Sequence, residues 1–323
     1  MGSGNAVSFV PKLASDATVF RRRALQCGSG REAIATFARA AGVKPGDTVL
    51  CPAYVGRSPH EGSGVLDPLT SLGLTVRFYR MNADLSVDLG DLASRLKDGR
   101  PSGVIIIHFF GHVDPNYPEV VRLVRHAGAW CLEDEAHALF TDLVAGVSGR
   151  LGDASVLSLH KMLPVHGGGA LLINPASNLD LEKLDAPDVS AAMLWDHDLA
   201  GIAAQRRSNT KDLAEMLNSL AGRVDSLWSE ARNGEVLQTY PVILRNLNRD
   251  DVYELMNASG YGVVSLYHTL VDGIRPGDYP VSHLLSRSIL NLPVHQDLRT
   301  EHLAALIQHL TRVIDDVGPD DRL

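Results

Sequence analysis

The sequence is short of cysteine and has no long apolar run. Its three cysteines among 323 residues are Cys27, Cys51 and Cys131. An odd number of cysteines without a Cys-x-x-Cys pair argues against a disulfide framework. The cysteine content is most consistent with a reducing cytoplasm. No segment approaches the roughly 20 apolar residues of a membrane span, and the first residues lack the charged and apolar regions of a signal peptide. We therefore expect a cytoplasmic protein with no membrane partner.

Positive charge is also scarce. Lys and Arg total 30 against 38 Asp and Glu, which gives a net charge of −8, and residues 21–23 form the one basic tract that stands out. A nucleic-acid partner therefore has little support, and we expect a small-molecule substrate. With 45% hydrophobic and 21% charged residues, the composition is that of a globular protein with a large core.

Helical patterns alternate with short apolar runs from residue 31 to about residue 150. This alternation predicts an α/β fold with a mostly parallel sheet sandwiched by helices. The predicted helices of this part are residues 31–41 and 117–127, and the predicted strands are residues 48–51, 75–79, 104–108, 130–133, 155–158 and 170–173.

A second α/β pattern follows residue 174 and predicts a smaller C-terminal domain. We place a large domain at residues 1–195 and a small one at residues 196–323. The predicted elements of this part are helices at residues 199–220, 249–259 and 300–317, and strands at residues 240–244 and 263–267.

The residues suited to chemistry lie at predicted strand ends, where open α/β sheets bind their ligands. Lys161 is in a loop after a strand, beside Leu159, Met162 and Leu163. This apolar setting would lower its pKa and leave the neutral amine free to condense with an aldehyde. By its local sequence alone, an exposed loop lysine is the commoner interpretation.

A carboxylate and an imidazole follow the apolar run of residues 130–132. Asp134 ends that strand, so its carboxylate could hold a protonated pyridine nitrogen. A helix cap or surface turn is the ordinary alternative for such a residue. His137, three residues further on, could bind a phenolate oxygen, although a lone histidine is more often structural.

The segment CGSGREA at residues 27–33 opens a helix and is a candidate phosphate site. The backbone N–H groups of Gly30, Arg31 and Glu32 would point out of the positive end of the helix. Ser158 could add a hydroxyl. The same segment matches the dinucleotide pattern G-x-G-x-x-A, but residues 20–26 make a poor preceding strand.

Histidines at i and i+4 occur in HFFGH, residues 108–112. This spacing suits a metal on a helix, but the segment follows a strand and contains Gly111. We expect a loop there and no metal site.

These segments together resemble the DegT/StrS-type aminotransferases, the sugar-aminotransferase branch of the fold-type I enzymes that use pyridoxal 5′-phosphate (PLP). The resemblance runs over nearly the whole chain and rests on the order and spacing of its parts. They are GREAI, GVKPGDTVLCPAY, VIIIHFFG, EDEAHALF, GDASVLSLHKMLPVHGGGALL, YPVIL and ILNLPVHQDL.

The resemblance implies a catalytic set of Lys161, Asp134 and His137. Lys161 would carry the cofactor as a Schiff base, the internal aldimine, with Asp134 at the pyridine nitrogen and His137 beside the phenolate. Family members are homodimers with a shared active site, and residues 206–209 are our candidate for the partner's contribution. The predicted cofactor contacts are Gly30, Arg31, Glu32, Tyr54, His108, Asp134, His137, Ser158, Lys161 and Asn209.

Two departures from the family pattern affect the site. Only two residues separate Ser158 from Lys161, where the family has four. The aromatic residue that the family has after PAY is replaced by Gly56, so Tyr54 or an aromatic residue of HFFG would have to stack on the cofactor ring.

The favoured function is transfer of an amino group from an amino acid such as glutamate to a ketone or aldehyde. The acceptor would be a sugar or a secondary-metabolite intermediate. Elimination, decarboxylation and carbon–carbon bond formation use the same cofactor chemistry and are alternatives. A regulatory homologue without turnover is a third hypothesis.

Overall fold

The computed structural model describes residues 22–175, 177, 179, 196–228, 232 and 234–318. Its larger sheet has seven strands in the order β1-β7-β6-β5-β4-β2-β3. The five strands β2 to β6 run parallel, and β7 is antiparallel to β6 and β1. The strands are β1 Arg23–Cys27, β2 Thr48–Pro52, β3 Thr75–Tyr79, β4 Gly103–Ile107, β5 Trp130–Asp134, β6 Ala154–Ser158 and β7 Gly169–Ile173.

The predicted α/β fold with a mostly parallel sheet is confirmed. Strands β4, β6 and β7 are buried along their whole length, as expected of strands covered on both faces. The helices of this part are α1 Gly30–Ala40, α2 Leu66–Thr70, α3 Leu89–Gly99 and α4 Tyr117–His126.

Strand β1 corrects the sequence analysis, which predicted no good strand before Gly28. Residues Arg23–Cys27 pair with β7 along the edge of the sheet. Leu25 and Cys27 are buried while Gln26 is exposed, an alternation that the neighbouring arginines obscured. Because β1 pairs antiparallel at an edge, it does not form the parallel βαβ unit of a dinucleotide fold.

Helix α1 begins against the sheet, and glycine makes this contact possible. Ser29 is its N-cap, with a side chain that accepts the N–H of Glu32. A Cβ atom on Gly169, at the start of β7, would lie 2.4 Å from the carbonyl carbon of Ser29 and 2.7 Å from the nitrogen of Gly30. The absence of a side chain at 169 therefore lets the helix N-terminus reach the end of β6 and the start of β7.

The C-terminal part has an antiparallel sheet in the order β10-β9-β8. Its strands are β8 Val224–Ser226, β9 Thr239–Leu244 and β10 Ile289–Pro293. Its helices are α5 Leu199–Leu217, α6 Arg249–Ala258, α7 Pro280–Ser288 and α8 Thr300–Val317.

The predicted strand at residues 263–267 is wrong. Val264 forms a single antiparallel bridge with Asn291, and the chain then turns away as a loop. Tyr267 lies in this loop with a left-handed φ of 61°, which is incompatible with an extended strand. The run is apolar for other reasons than a strand: Val263 packs in the core of the C-terminal part, and residues 265–267 line a cavity.

The two parts share a core. Val271, Ile274, Tyr279 and Leu285 from the C-terminal part pack into the hydrophobic cluster of the large sheet. The boundary at 195 and 196 adjoins residues outside the described ranges and stays a prediction. In the part of the chain that the structure describes, no helix is both long and apolar enough to span a membrane.

Candidate active site

A cavity of about 350 Å³ lies at the carboxyl ends of the parallel strands. One wall consists of strand ends and the start of α1, and residues 265–269 of the C-terminal part supply another. Six of the predicted site residues line it: Gly30, Arg31, Asp134, His137, Ser158 and Lys161.

Lys161 follows β6 at the end of a single 3₁₀ turn, Leu159–Lys161. Leu159, Met162 and Leu163 are buried and anchor this turn. The lysine has accessible surface because it lines the cavity, but burial of its amine lowers the pKa of Lys161, opposed by the charge of Asp134. The predicted lowering of the pKa of the amine is confirmed, so a larger fraction of it is neutral and nucleophilic than for a surface lysine.

Asp134 is the last residue of β5, and one of its oxygens is held in place. Oδ1 accepts the N–H of Ala136 at 2.9 Å. Burial raises the pKa of Asp134, and the charge of Lys161 and the hydrogen bond from Ala136 oppose the shift. A cation or protonated ring nitrogen placed beside it would restore its ionised form.

His137 faces Lys161 in a defined tautomer. The backbone N–H of Phe110 donates to its Nδ1 at 3.4 Å, and its Nε2 lies 3.4 Å from Nζ of Lys161. Burial holds the pKa of His137 well below its usual range, and the charge of Lys161 adds to this effect. A neutral ring that accepts at Nδ1 carries its proton at Nε2, so His137 is a hydrogen-bond donor toward the cavity.

The start of α1 offers the cavity an anion-binding end. A Cβ atom on Gly30 would lie 3.5 Å from Cβ of Ser158, so the helix N-terminus and the serine are adjacent. Arg31 donates from Nη2 to the carbonyl of Glu61 at 2.6 Å, whereas its buried Nε has no hydrogen-bond partner among the described residues. Donors left open at a helix N-terminus suit a phosphate.

Four predicted cofactor contacts are absent from the described lining of the cavity. The N–H of Glu32 donates to the Ser29 cap, and its carboxylate accepts from Gly28. Tyr54 is buried behind the cavity, with its ring 5.5 Å from that of Phe109. The other two, His108 and Asn209, are engaged elsewhere: His108 with two glutamates, and Asn209 with the carbonyl of His295 at 2.8 Å.

Behind the sheet, His108, Glu133 and Glu135 form what we call the rear cluster. Nε2 of His108 lies 3.1 Å from Glu133 and 3.4 Å from Glu135. Burial alone would lower the pKa of His108, but the two carboxylates outweigh it and raise the pKa to about 9. The three donor atoms lie within 4.8 Å of one another, a spacing that a metal ion could also use.

The rear cluster also fixes the loop before β6. Glu133 accepts the N–H groups of Gly149 at 2.8 Å and Gly152 at 2.6 Å, and Ser148 donates to Glu135 at 2.9 Å. These bonds fill the acceptor sites of Glu133 and one oxygen of Glu135. The cluster therefore acts as a structural support for β5, at whose end Asp134 lies.

Several wall residues were missed by the sequence analysis. They come from two loops and from the residue next to the lysine, and they are Arg57, Glu61, His160, Tyr267 and His268. The loops carry no periodic pattern, so only the run of polar residues after PAY could have suggested the first of them.

The cavity meets the chemical requirements of PLP. Its open donors at Arg31 and the start of α1 suit the phosphate, and the carboxylate of Asp134 suits the pyridine nitrogen. The donor Nε2 of His137 suits the phenolate oxygen, and the amine of Lys161 suits the aldehyde. All four groups open into one space, which is the observation that the fit rests on.

Comparison with known proteins agrees with this chemistry. Residues 17–184, just over half of the chain, match the model of the DegT/DnrJ/EryC1/StrS aminotransferase family. A "Pleiotropic regulatory protein" of Geobacillus stearothermophilus is 19% identical, with 94% of this chain and 88% of the relative covered. A UDP-N-acetyl-3-dehydro-alpha-D-glucosamine 3-aminotransferase of Acidithiobacillus ferrooxidans is 21% identical, with 89% and 83% covered.

Solved structures share the fold. The sugar aminotransferase Spr1654 of Streptococcus pneumoniae, in its PLP form, has a TM-score of 0.75 at 15% identity, with 91% of this chain and 88% of that one covered. A DegT DnrJ EryC1 StrS aminotransferase of Brucella abortus has a TM-score of 0.71 at 20% identity, with 90% and 85% covered. The protein therefore belongs to the DegT/DnrJ/EryC1/StrS family and is a PLP-dependent aminotransferase.

Proposed function

We propose that this aminotransferase moves an amino group from an amino acid donor to a ketone or aldehyde of a sugar or secondary-metabolite intermediate. The observation that carries the proposal is the convergence of Lys161, Asp134, His137 and the start of α1 on one cavity. The amino-sugar name of the Acidithiobacillus relative supports the sugar class of acceptor.

The residues that would hold the cofactor follow from the cavity. Lys161 would hold it covalently through Nζ, Asp134 would pair with the ring nitrogen, and His137 would donate to the phenolate oxygen. Gly30, Arg31 and Ser158 would bind the phosphate. When bound, PLP withdraws electrons from the bond to the donor's α-hydrogen, so that this bond can break.

The chain's own groups perform the proton transfers. The amine of Lys161, with a pKa lowered by burial, would take the proton from the α-carbon of the donor and return it to the product. Asp134 would stay ionised next to the ring nitrogen. His137 stays neutral because of its burial, and so it donates a hydrogen bond without adding positive charge.

Assembly and compartment are further parts of the proposal. We propose a homodimer in which residues 206–209 support the partner's site. Within its own chain Arg206 is buried and donates to Gln296 at 3.1 Å. Arg206 would therefore support the partner's site indirectly, by holding the segment around Gln296 in place. The cysteines are free and buried, which supports a cytoplasmic location.

The proposal is tested by a half-reaction. Wild-type protein loaded with PLP is mixed with glutamate, and the absorbance of the bound cofactor is followed. We expect the band of the aldehyde form to convert to that of the amine form, and a keto acid to return it. In Lys161→Ala the wild-type band should be absent.

The alternatives give other results. An elimination or decarboxylation enzyme would consume an amino acid without leaving the amine form of the cofactor. A regulatory homologue would bind PLP without converting it. A Lys161→Ala variant that kept the wild-type band would contradict the assignment of the lysine.

A further inference from the structure

Tyr267 occupies an unusual position in the cavity. It is the only phenylalanine, tyrosine or tryptophan among the described residues that line it. Tyr54, Phe109 and Phe110, the stacking candidates of the sequence analysis, are buried and do not line it. We propose, on the basis of the proposed function, that Tyr267 is the residue that stacks on the cofactor ring.

Tyr267 packs against the rings of Tyr54, Phe109 and Phe110, and two further neighbours are side chains assigned to the cofactor. Its ring centroid lies 5.9 Å from that of His137. Asp134 is close enough for its charge to raise the pKa of the tyrosine further, after burial. A ring held by these two side chains therefore lies beside the tyrosine ring, and offset contact between an aromatic face and an electron-poor pyridine ring is favourable.

Gly56 provides the space that the tyrosine needs. A Cβ atom on Gly56 would lie 3.0 Å from Cα and 3.1 Å from Cδ1 of Tyr267. Even a methyl group at 56 would therefore require the tyrosine to shift by a few tenths of an ångström, and an aromatic side chain there would require more. Tyr267, from the C-terminal part, occupies the space next to residue 56. This accounts for the glycine at the position where the family has an aromatic residue after PAY.

The backbone holds Tyr267 in place at a conformational cost. Its φ of 61° is rare for a bulky residue, and such conformations persist where the surroundings impose them. On one side, Val264 exchanges two hydrogen bonds with Asn291 of β10. On the other, the N–H of Arg57 donates to Thr269 at 2.9 Å. The loop is thus fixed to both parts of the molecule.

Ring aromaticity and backbone conformation can be separated by substitution. Tyr267→Phe keeps the ring, whereas Tyr267→Asn and Tyr267→Gly remove it and tolerate a left-handed φ. Tyr261→Asn, an equivalent change at a tyrosine that stacks on His309 outside the cavity, is the control. The dissociation constant of PLP and the circular dichroism of the bound cofactor are measured for each, with thermal unfolding of the apoprotein.

We expect Tyr267→Phe and Tyr261→Asn to bind PLP within about 2-fold of wild type. Tyr267→Asn and Tyr267→Gly should bind roughly 10-fold more weakly and with altered cofactor dichroism, since 10-fold corresponds to about 1.4 kcal/mol, which is within the range of a stacked aromatic pair. Equal or tighter binding in these two variants, with unchanged dichroism, would overturn the stacking role.

Gly56→Ala is the second route if a substitution at 267 impairs folding. The added methyl group shifts the tyrosine by a few tenths of an ångström without removing its ring, so altered dichroism of the bound cofactor is expected, and unchanged dichroism contradicts the proposal. Failure of the proposed function is distinguishable, because it shows as no conversion of the bound cofactor by glutamate in the wild type, whereas the stacking role is measured by PLP binding and cofactor dichroism alone.

Discussion

The two faces of the end of β5 carry the same kind of side chain in different states. Glu133, Asp134 and Glu135 are consecutive and buried. Glu133 and Glu135 point to the rear, where His108 and the 148–152 loop supply their partners. Asp134 points into the cavity, where Ala136 binds one of its oxygens.

The difference shows how this fold separates support from chemistry. A buried carboxylate with filled acceptor sites stabilises the fold, and removal of one partner is costly. A buried carboxylate with an open acceptor site is costly to the fold and useful to a ligand that supplies the missing partner. Strand alternation places both kinds within three residues.

The strongest test of this contrast is Asp134→Asn. The neutral amide cannot hold the ring nitrogen in its protonated form, so transamination should fall on the order of 10³-fold. The free energy of unfolding of the apoprotein should change by less than about 1 kcal/mol, because only one hydrogen bond from Ala136 is affected. Steady-state kinetics and denaturant titration measure the two effects. If the free energy of unfolding fell by as much as the activation free energy of transamination rose, Asp134 would have the same structural role as Glu133 and Glu135, and the contrast would be contradicted.

Glu133→Gln should show the reverse. Removing the charge from a filled buried site leaves His108 and the backbone donors poorly paired, and we expect the free energy of unfolding to fall by about 3 kcal/mol. Activity per folded molecule should fall far less than in Asp134→Asn. Denaturant titration measures the free energy of unfolding, and active-site titration gives the activity per folded molecule. A loss of activity with unchanged stability would contradict the supporting role of Glu133.

The pH dependence of stability tests His108. Its pKa is raised from 6.5 to about 9 in the folded protein. Its stabilising contribution is therefore fully present below pH 6.5 and lost as the pH rises through about 9. We expect the thermal midpoint of the wild type to fall over this range and that of His108→Gln to fall less, with roughly 2 kcal/mol separating the variants at pH 6. Parallel curves would refute a protonated His108.

The smallest predicted effect concerns His137. Gln places an amide donor near the position of Nε2, whereas Asn is too short to reach it. We expect His137→Asn to lose activity roughly 10-fold, the value of one hydrogen bond, and His137→Gln to lose less. Equal losses in both variants would show that the imidazole does more than donate.

Much of the large sheet could be predicted because its strands are continuous apolar runs and its chemical groups follow them. Lys161, Asp134 and His137 are placed by residues within a few positions of themselves. Strand β1 was missed because the arginines around it hid its burial pattern, and only pairing with β7 reveals it.

The loops on the cavity wall could not be predicted for a physical reason. Tyr267 lies more than 100 residues from Lys161 in the chain and enters the site through a left-handed turn. The hydrophobic periodicity of the sequence gives no indication of such a long-range contact. His108 was predicted as a cofactor contact, but it follows β4 and lies in the rear cluster, where two glutamates bind it.

The central claim is that Lys161 is the residue that binds PLP. The protein is incubated with PLP, reduced with borohydride to make any Schiff base permanent, digested and analysed by mass spectrometry. We predict the phosphopyridoxyl group on Lys161, and on no peptide of the Lys161→Ala variant in comparable yield. Stoichiometric labelling of another lysine such as Lys44 or Lys211, or none in the wild type, would contradict the account.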